Sequence, residues 1–173
     1  MVIKMDRGEL AREYFMKGYN CSQAIVLAFS DCTGLDEHTA AKLSSSFGGG
    51  MGRMREVCGT FSGMLMVLGL LHGYDATSET EKENKKLHYA RVQELAERFR
   101  TEFGSIICRE LLSGKAKEEL KKGTNADSEQ VAAMLSDSAV PTPRTEAYYK
   151  KRPCPEIVAT GARMLEAYMA ELN

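Results

Sequence analysis

The sequence predicts an all-α fold: a single-domain helical bundle around a buried central helix at about 57–73. Three observations carry this. Met64–Leu71 is a continuous apolar run, too unbroken for a surface helix and too short to cross a bilayer, which takes ~20 apolar residues. The segments on either side repeat apolar residues at helical spacing and place charges on the other face. No stretch alternates apolar and polar residues convincingly enough to make a strand. The 173 residues, 43% hydrophobic and 27% charged, suit one globular domain over 1–173 with a real core.

Asp6 with Glu9 makes a capping-box-like start for a helix at about 6–17, with Leu10, Ala11, Tyr14 and Phe15 on one face and Gly18 beyond its end. Asn20 caps a mostly apolar helix at about 21–32, with Cys21 in its first turn and Cys32 in its last. Gly34 ends that helix, and Asp36 caps a short one to about Ser46. The run GGGMGRM then leads into the central helix, with Cys58 at or near its start. Gly59 and Gly63 fall four apart on one face of it and leave a shallow groove for another backbone or a cofactor.

Ser78 with Glu81 opens a long helix to about Phe103, whose inward stripe is His88, Val92, Leu95, Phe99 and Phe103. After Gly104, Ser105 caps a short helix carrying Cys108. From 114 to 150 the composition turns polar. KAKEELKKG and SEQVAAMLSD read as two small helices and PTPR as an extended linker, together a peripheral excursion and a candidate lid. Pro155 suits the first turn of a final helix, and Cys154 stands just before it.

Net charge of −1 leaves no excess of Lys and Arg for phosphates, which argues against a nucleic-acid partner. MVIKMDRGEL lacks the apolar segment of a secretory signal and no transmembrane span is evident, so the expected compartment is cytoplasmic. Thiols there stay reduced, and five cysteines point to ligation or redox chemistry more than to a disulfide framework. GGGMGRM lacks the phosphate-loop pattern, and turn geometry is the simpler use of its glycines.

Cys21, Cys58, Cys108 and Cys154 each fall at the start of an expected helix, where unpaired N–H groups and partial positive charge favour thiolates and sulfide-rich clusters. Up-and-down tracing brings three of those starts to one end of the bundle, and the polar excursion is long enough to bring Cys154 there as well. Cys32 lies about 16 Å along its helix from Cys21 and stands apart. His38, His72 and His88 fall away from that end. Arg53, Arg55, Arg109, Lys150, Lys151 and Arg152 flank the cysteines and could offset thiolate charge, or be ordinary surface charge. There is no C-x-x-C, so zinc-knuckle, thioredoxin-like and c-type haem patterns are missing.

NCSQAI, GGGMGRM-x-x-VCGTFSGMLMVLGL, the isolated cysteine before Arg-Glu-Leu-Leu, and CPEIV together resemble the C_GCAxxG_C_C family of redox-active proteins, which has four cysteines and a CGAxxG motif. The resemblance runs from about Asn20 to the final helix, outside about 114–150. It puts the family cysteines on Cys21, Cys58, Cys108 and Cys154. The motif falls on Cys58–Gly63, with Thr60 in place of the alanine and adding a hydroxyl beside the site. The resemblance implies a redox or metal role.

Three functions follow as expectations. In the first, the four cysteines bind an iron–sulfur cluster, most simply [2Fe–2S], or another thiophilic metal, for electron transfer or redox sensing. In the second, thiol–disulfide or sulfur-transfer chemistry uses Cys58 as the low-pKa nucleophile and another of the four as resolving thiol. In the third, the cysteines hold structural zinc or only pack. The redox or sulfur partner is not readable, and the apolar helices leave room for a homodimer.

Overall fold

The computed structural model describes residues 6–75, 81–121 and 128–173. Helices α1 (Arg7–Met16) and α2 (Cys21–Ala28) form an antiparallel pair, tied at the far end by Arg7 donating to the Ala28 carbonyl and to Asp31. Asp6 caps α1 by accepting from the Gly8 N–H, while Glu9 pairs with Arg163 instead of completing a capping box. The reciprocal box forms one helix later: Asn20 accepts from Gln23 N, and the Gln23 side chain accepts from Asn20 N.

The expected 21–32 helix is broken at Phe29, which leaves helical geometry, and a one-turn helix α3 (Ser30–Thr33) follows. Gly34 closes α3 in the left-handed region. Asp36 caps α4 (Glu37–Ser44), which continues as a 3-10 turn over Ser45–Phe47 and ends at an extended Gly48. The turn α5 (Gly48–Met51) that follows is not helical inside, with Gly49 and Gly50 in the left-handed region.

The central helix is α6 (Gly59–His72), with Cys58 as its N-cap. Its Phe61, Met64, Val67 and Leu68 are buried, but its last turn leaves the core, and Leu70 is 48% exposed. The centre is shared with α2, whose Ala24 through Ala28, with Phe29, are all buried. The two helices run parallel and close together. A Cβ at Gly63 would stand 2.9 Å from both the Ser22 carbonyl oxygen and the Ile25 Cβ. Helix α2 therefore fills the Gly63 side of the groove expected to admit a backbone or cofactor.

Helix α7 (Glu81–Phe103) returns antiparallel to α6, with Arg91 reaching the His72 carbonyl and the Phe61 and Phe99 rings 5.3 Å apart. Of its expected inward stripe Leu95 and Phe99 are buried, whereas His88, Val92 and Phe103 are half-buried. The cap expected at Ser78 lies outside the described residues. Helix α8 (Cys108–Lys121) absorbs most of KAKEELKKG as its own continuation, and α9 (Ser128–Leu135) is the second small helix of the excursion. Another short helix, α10 (Glu146–Lys151), capped by Thr145, follows the PTPR linker. The last helix, α11 (Cys154–Leu172), packs antiparallel to α1 through the pairs Arg163–Asp6 and Arg12–Glu156, and its Gly161 meets Thr60 on α6.

Full burial of side chains such as Phe15, Phe29, Met64, Leu95 and Leu165 stabilises the bundle by about 1.5–3 kcal/mol each relative to exposure. Among the described residues there is no strand, only an isolated antiparallel bridge between Val57 and Ile107. Helices α2, α6 and α11 start at one end of the bundle. Helix α7 returns to that end, and α8 begins there.

Candidate functional site

The site is built on the glycine-rich turn. Gly49, Gly50 and Gly52 take positive φ, and so do Met51, Arg53 and Arg55, where a side chain makes that conformation unfavourable. The turn is held by its own backbone: Arg53 N donates to Gly48 O, Arg55 N to Gly49 O and Glu56 N to Gly50 O. It coils tightly enough that a Cβ at Gly50 would stand 2.6 Å from the Cβ of Cys108. The strand-like pairing that follows fixes two cysteines at once. Cys58 N donates to Ile106 O at 2.8 Å, and Cys108 N donates to Glu56 O at 2.6 Å.

The other two cysteines arrive by helix packing. The parallel contact of α2 on α6 sets the Cys21 Cβ 3.1 Å from where a Gly59 Cβ would be. Cys154 begins α11 beside Arg152 and Pro153. All four cysteines line one cavity of about 40 Å³, with Gly50, Gly59 and Thr60 in its wall. Cys21 senses the charge of the other three, Cys58 that of Cys108 and Cys154, and Cys108 that of Cys154. Cys58 and Cys108 are 6% and 8% exposed, while Cys21 and Cys154 keep more surface. Cys32 is exposed and lies outside the cavity.

Proximity of four thiols in a largely buried pocket makes ionisation of any one costly to the next. Burial, then the neighbouring Cys108 and Cys154, pushes Cys58 up to about 12, against hydrogen bonds from the Phe61 and Thr60 N–H groups. Helix N-terminal donors are present as the sequence implied, and desolvation outweighs them. Cys108 is raised by burial and by Cys154, opposed by Arg55. Cys21 and Cys154 share a side-chain hydrogen bond. That hydrogen bond raises Cys21 and lowers Cys154 to about 7, with Arg152, Arg144 and Arg55 facing Cys154 as further causes.

A family model described as "Putative redox-active protein (C_GCAxxG_C_C)" matches residues 19–168. The chain belongs to that family. The matched span contains all four cavity cysteines. Neither the curated proteins nor the solved structures give a match to the chain.

In this C_GCAxxG_C_C chain the flanking basic residues separate by role. Arg55 and Arg152 line the cavity, and they are 2% and 7% exposed. Arg53 ties the turn to the returning chain through the Ser138 carbonyl and Thr142. Arg109 pairs with Glu56 and Lys150 with Glu146, both at the surface. Arg144, which sequence reasoning did not single out, also lines the cavity. It stacks on Phe15, Tyr148 and Tyr149 and donates to Tyr19 O. Its position after a proline in a polar linker marks it only as loop charge.

The second half of the 114–150 excursion thus closes on the cysteines: Arg55 Nε donates to the Ser136 carbonyl, and Arg144 and Tyr148 form part of the wall. Gly59 lines the cavity, while Gly63 serves the α2–α6 contact. None of His38, His72 and His88 lines it. Two buried polar atoms of the wall have no hydrogen-bond partner, Arg55 Nη2 and Thr60 Oγ1.

The four thiols are a donor set suited to a thiophilic metal or cluster. Among the described residues, however, no group of three or more His, Cys, Asp or Glu side chains is arranged to hold a metal ion. No helix among them is long and apolar enough to cross a membrane.

Proposed function

We propose that this chain is a two-electron thiol redox protein of the cytoplasm whose reacting pair is Cys154 and Cys21. The observation that carries the reading is the side-chain hydrogen bond they share in the common cavity, as the two cavity cysteines that keep most surface. The pair loses its first proton near neutrality, and the charge rests on Cys154 because the Cys21 thiol hydrogen-bonds to it and, secondarily, Arg152, Arg144 and Arg55 face it. The Cys154 thiolate attacks a partner disulfide, forming a mixed disulfide and releasing one partner thiolate. Cys21, losing its proton, then attacks the Cys154 sulfur and releases the second partner thiolate, leaving a Cys21–Cys154 disulfide. Two electrons pass to the partner, and the reverse steps restore the dithiol. Cys58, the nucleophile expected from sequence, stays protonated at neutral pH because burial holds it near 12.

An iron–sulfur cluster or other thiophilic metal on Cys21, Cys58, Cys108 and Cys154 is the second reading, favoured by the convergence of all four thiols on one cavity. Bound there, such a group would supply one-electron transfer or structural cross-linking. The described residues as arranged do not present a ready metal site. Anaerobic purification with iron, zinc and sulfide analysis, visible absorption and thiol counting separates the readings. The thiol reading expects a colourless, metal-free protein that reversibly loses two thiols on mild oxidation. Stoichiometric iron with charge-transfer absorption would replace it with the second reading, and colourless zinc with a structural site.

A further inference from the structure

The cavity wall contains two hydrogen-bond donors that the protein itself does not use. Arg55 is buried with its Nε committed to the Ser136 carbonyl at 2.9 Å and its guanidinium hydrogen-bonded to Cys108, yet its Nη2 meets no acceptor. Thr60 is 0% exposed, its Cγ2 sits against Gly161, and its hydroxyl also has no partner. A buried guanidinium N–H and a buried hydroxyl left open are costly, and such groups are nearly always satisfied. The cost is incurred twice in one cavity, beside Arg152 and Arg144. Backbone strain adds to it, since Arg55 is held at φ 60° in the turn.

We infer that the cavity binds a small oxoanion, of sulfate or phosphate type, through Arg55 Nη2 and Thr60 Oγ1. The ligand must be anionic, because the open donor belongs to a guanidinium and two further arginines share the wall. It must be small, because about 40 Å³ holds a few heavy atoms beyond one water. It must accept several hydrogen bonds at short range, which a tetrahedral oxoanion does and chloride does not do with the same geometry. As the place where the anionic head of a substrate sits beside Cys154 and Cys21, the site rests on the thiol reading. As a binding site it stands on Arg55 and Thr60 alone.

Titration calorimetry of the full chain with sulfate and with phosphate, at constant ionic strength set by chloride, tests the inference. Wild type is expected to take up one oxoanion per chain. Thr60→Val, nearly isosteric, is expected to weaken binding roughly tenfold or more while melting at the same or a higher temperature in oxoanion-free buffer. Arg55→Lys keeps the charge but not the fork, and is expected to weaken binding likewise. Lack of saturable binding by wild type would overturn the inference, as would wild-type affinity in folded Thr60→Val or a lowered melting temperature in that variant without oxoanion. Thr60→Val decides the question should Arg55→Lys not fold. Disulfide formation is measured on the same samples. A reversible Cys21–Cys154 disulfide without oxoanion binding removes this inference alone. Binding without the disulfide removes the thiol reading and leaves the anion site.

Discussion

Replacing Gly63 by leucine tests the packing that brings Cys21 to Cys58. The first added carbon alone would stand 2.9 Å from Ile25 Cβ and from the Ser22 carbonyl oxygen. Comfortable carbon contacts lie near ~3.5–4.0 Å, so the overlap approaches an ångström. Both obstacles are fixed to the α2 backbone, and relief requires α2 and α6 to separate. Overpacking of this kind costs ~1–3 kcal/mol, and with the remaining leucine atoms still to place the upper end applies. Leucine returns somewhat under ~1 kcal/mol in helix propensity. The net loss is about 2 kcal/mol, which for a chain of this length lowers the melting temperature by roughly 4–8 °C. Gly69 provides the control within the same helix, because a Cβ there meets nothing within 4 Å. Gly69→Leu is expected to melt at the wild-type temperature or above it. Thermal melts of the two variants side by side decide the matter. Equal melting temperatures would refute the claim that Gly63 sets the α2–α6 spacing.

Cys32→Ser should leave reversible oxidation of the cavity thiols intact, since Cys32 is exposed and outside the cavity; loss of that oxidation in a folded variant would mean that Cys32 belongs to the active set. Stability should fall as the pH rises from about 9 toward 12. Folded Cys58 and Tyr148 are raised to about 12 by burial, and Cys21 and Cys108 shift the same way, so the unfolded chain releases those protons first. Cys154 runs oppositely, its contribution lost as pH falls through about 7. A melting temperature flat from pH 8 to 11 would contradict this balance. Arg152→Gln should move the alkylation profile of Cys154 to higher pH, because a guanidinium that holds the thiolate is gone; an unmoved profile would assign Arg152 to packing on Tyr148.

Much of the site was legible because helix starts are written locally. Asn20, the Val57-Cys58-Gly59 boundary and Cys154-Pro155 each signal a helix beginning at the cysteine, and the apolar faces dictate which ends meet. What stayed hidden was set by contacts distant in sequence. The Val57–Ile107 bridge is a single pair with no periodicity to read, although it fixes Cys58 against Cys108. Positive φ at Met51, Arg53 and Arg55 is imposed by the turn's own hydrogen bonds and runs against residue preference. Arg144 reaches the cavity only because α10 and the preceding linker fold back onto α1, which no local signal announces. The reactivity order also escaped sequence reasoning. A helix N-terminus favours thiolate at Cys58, but full burial among other thiols outweighs it, and only the arginine-faced partner of Cys21 is lowered.

The account rests on which thiols exchange electrons, and disulfide mapping reads this directly. The reduced protein is oxidised with one equivalent of a small disulfide at pH 7, its remaining thiols are blocked, and the peptides are sequenced by mass spectrometry. The account predicts a Cys21–Cys154 disulfide, reversed by dithiol reductant, with Cys58 and Cys108 recovered as blocked thiols. A Cys58–Cys108 disulfide formed first, or no bond within the cavity, would contradict it.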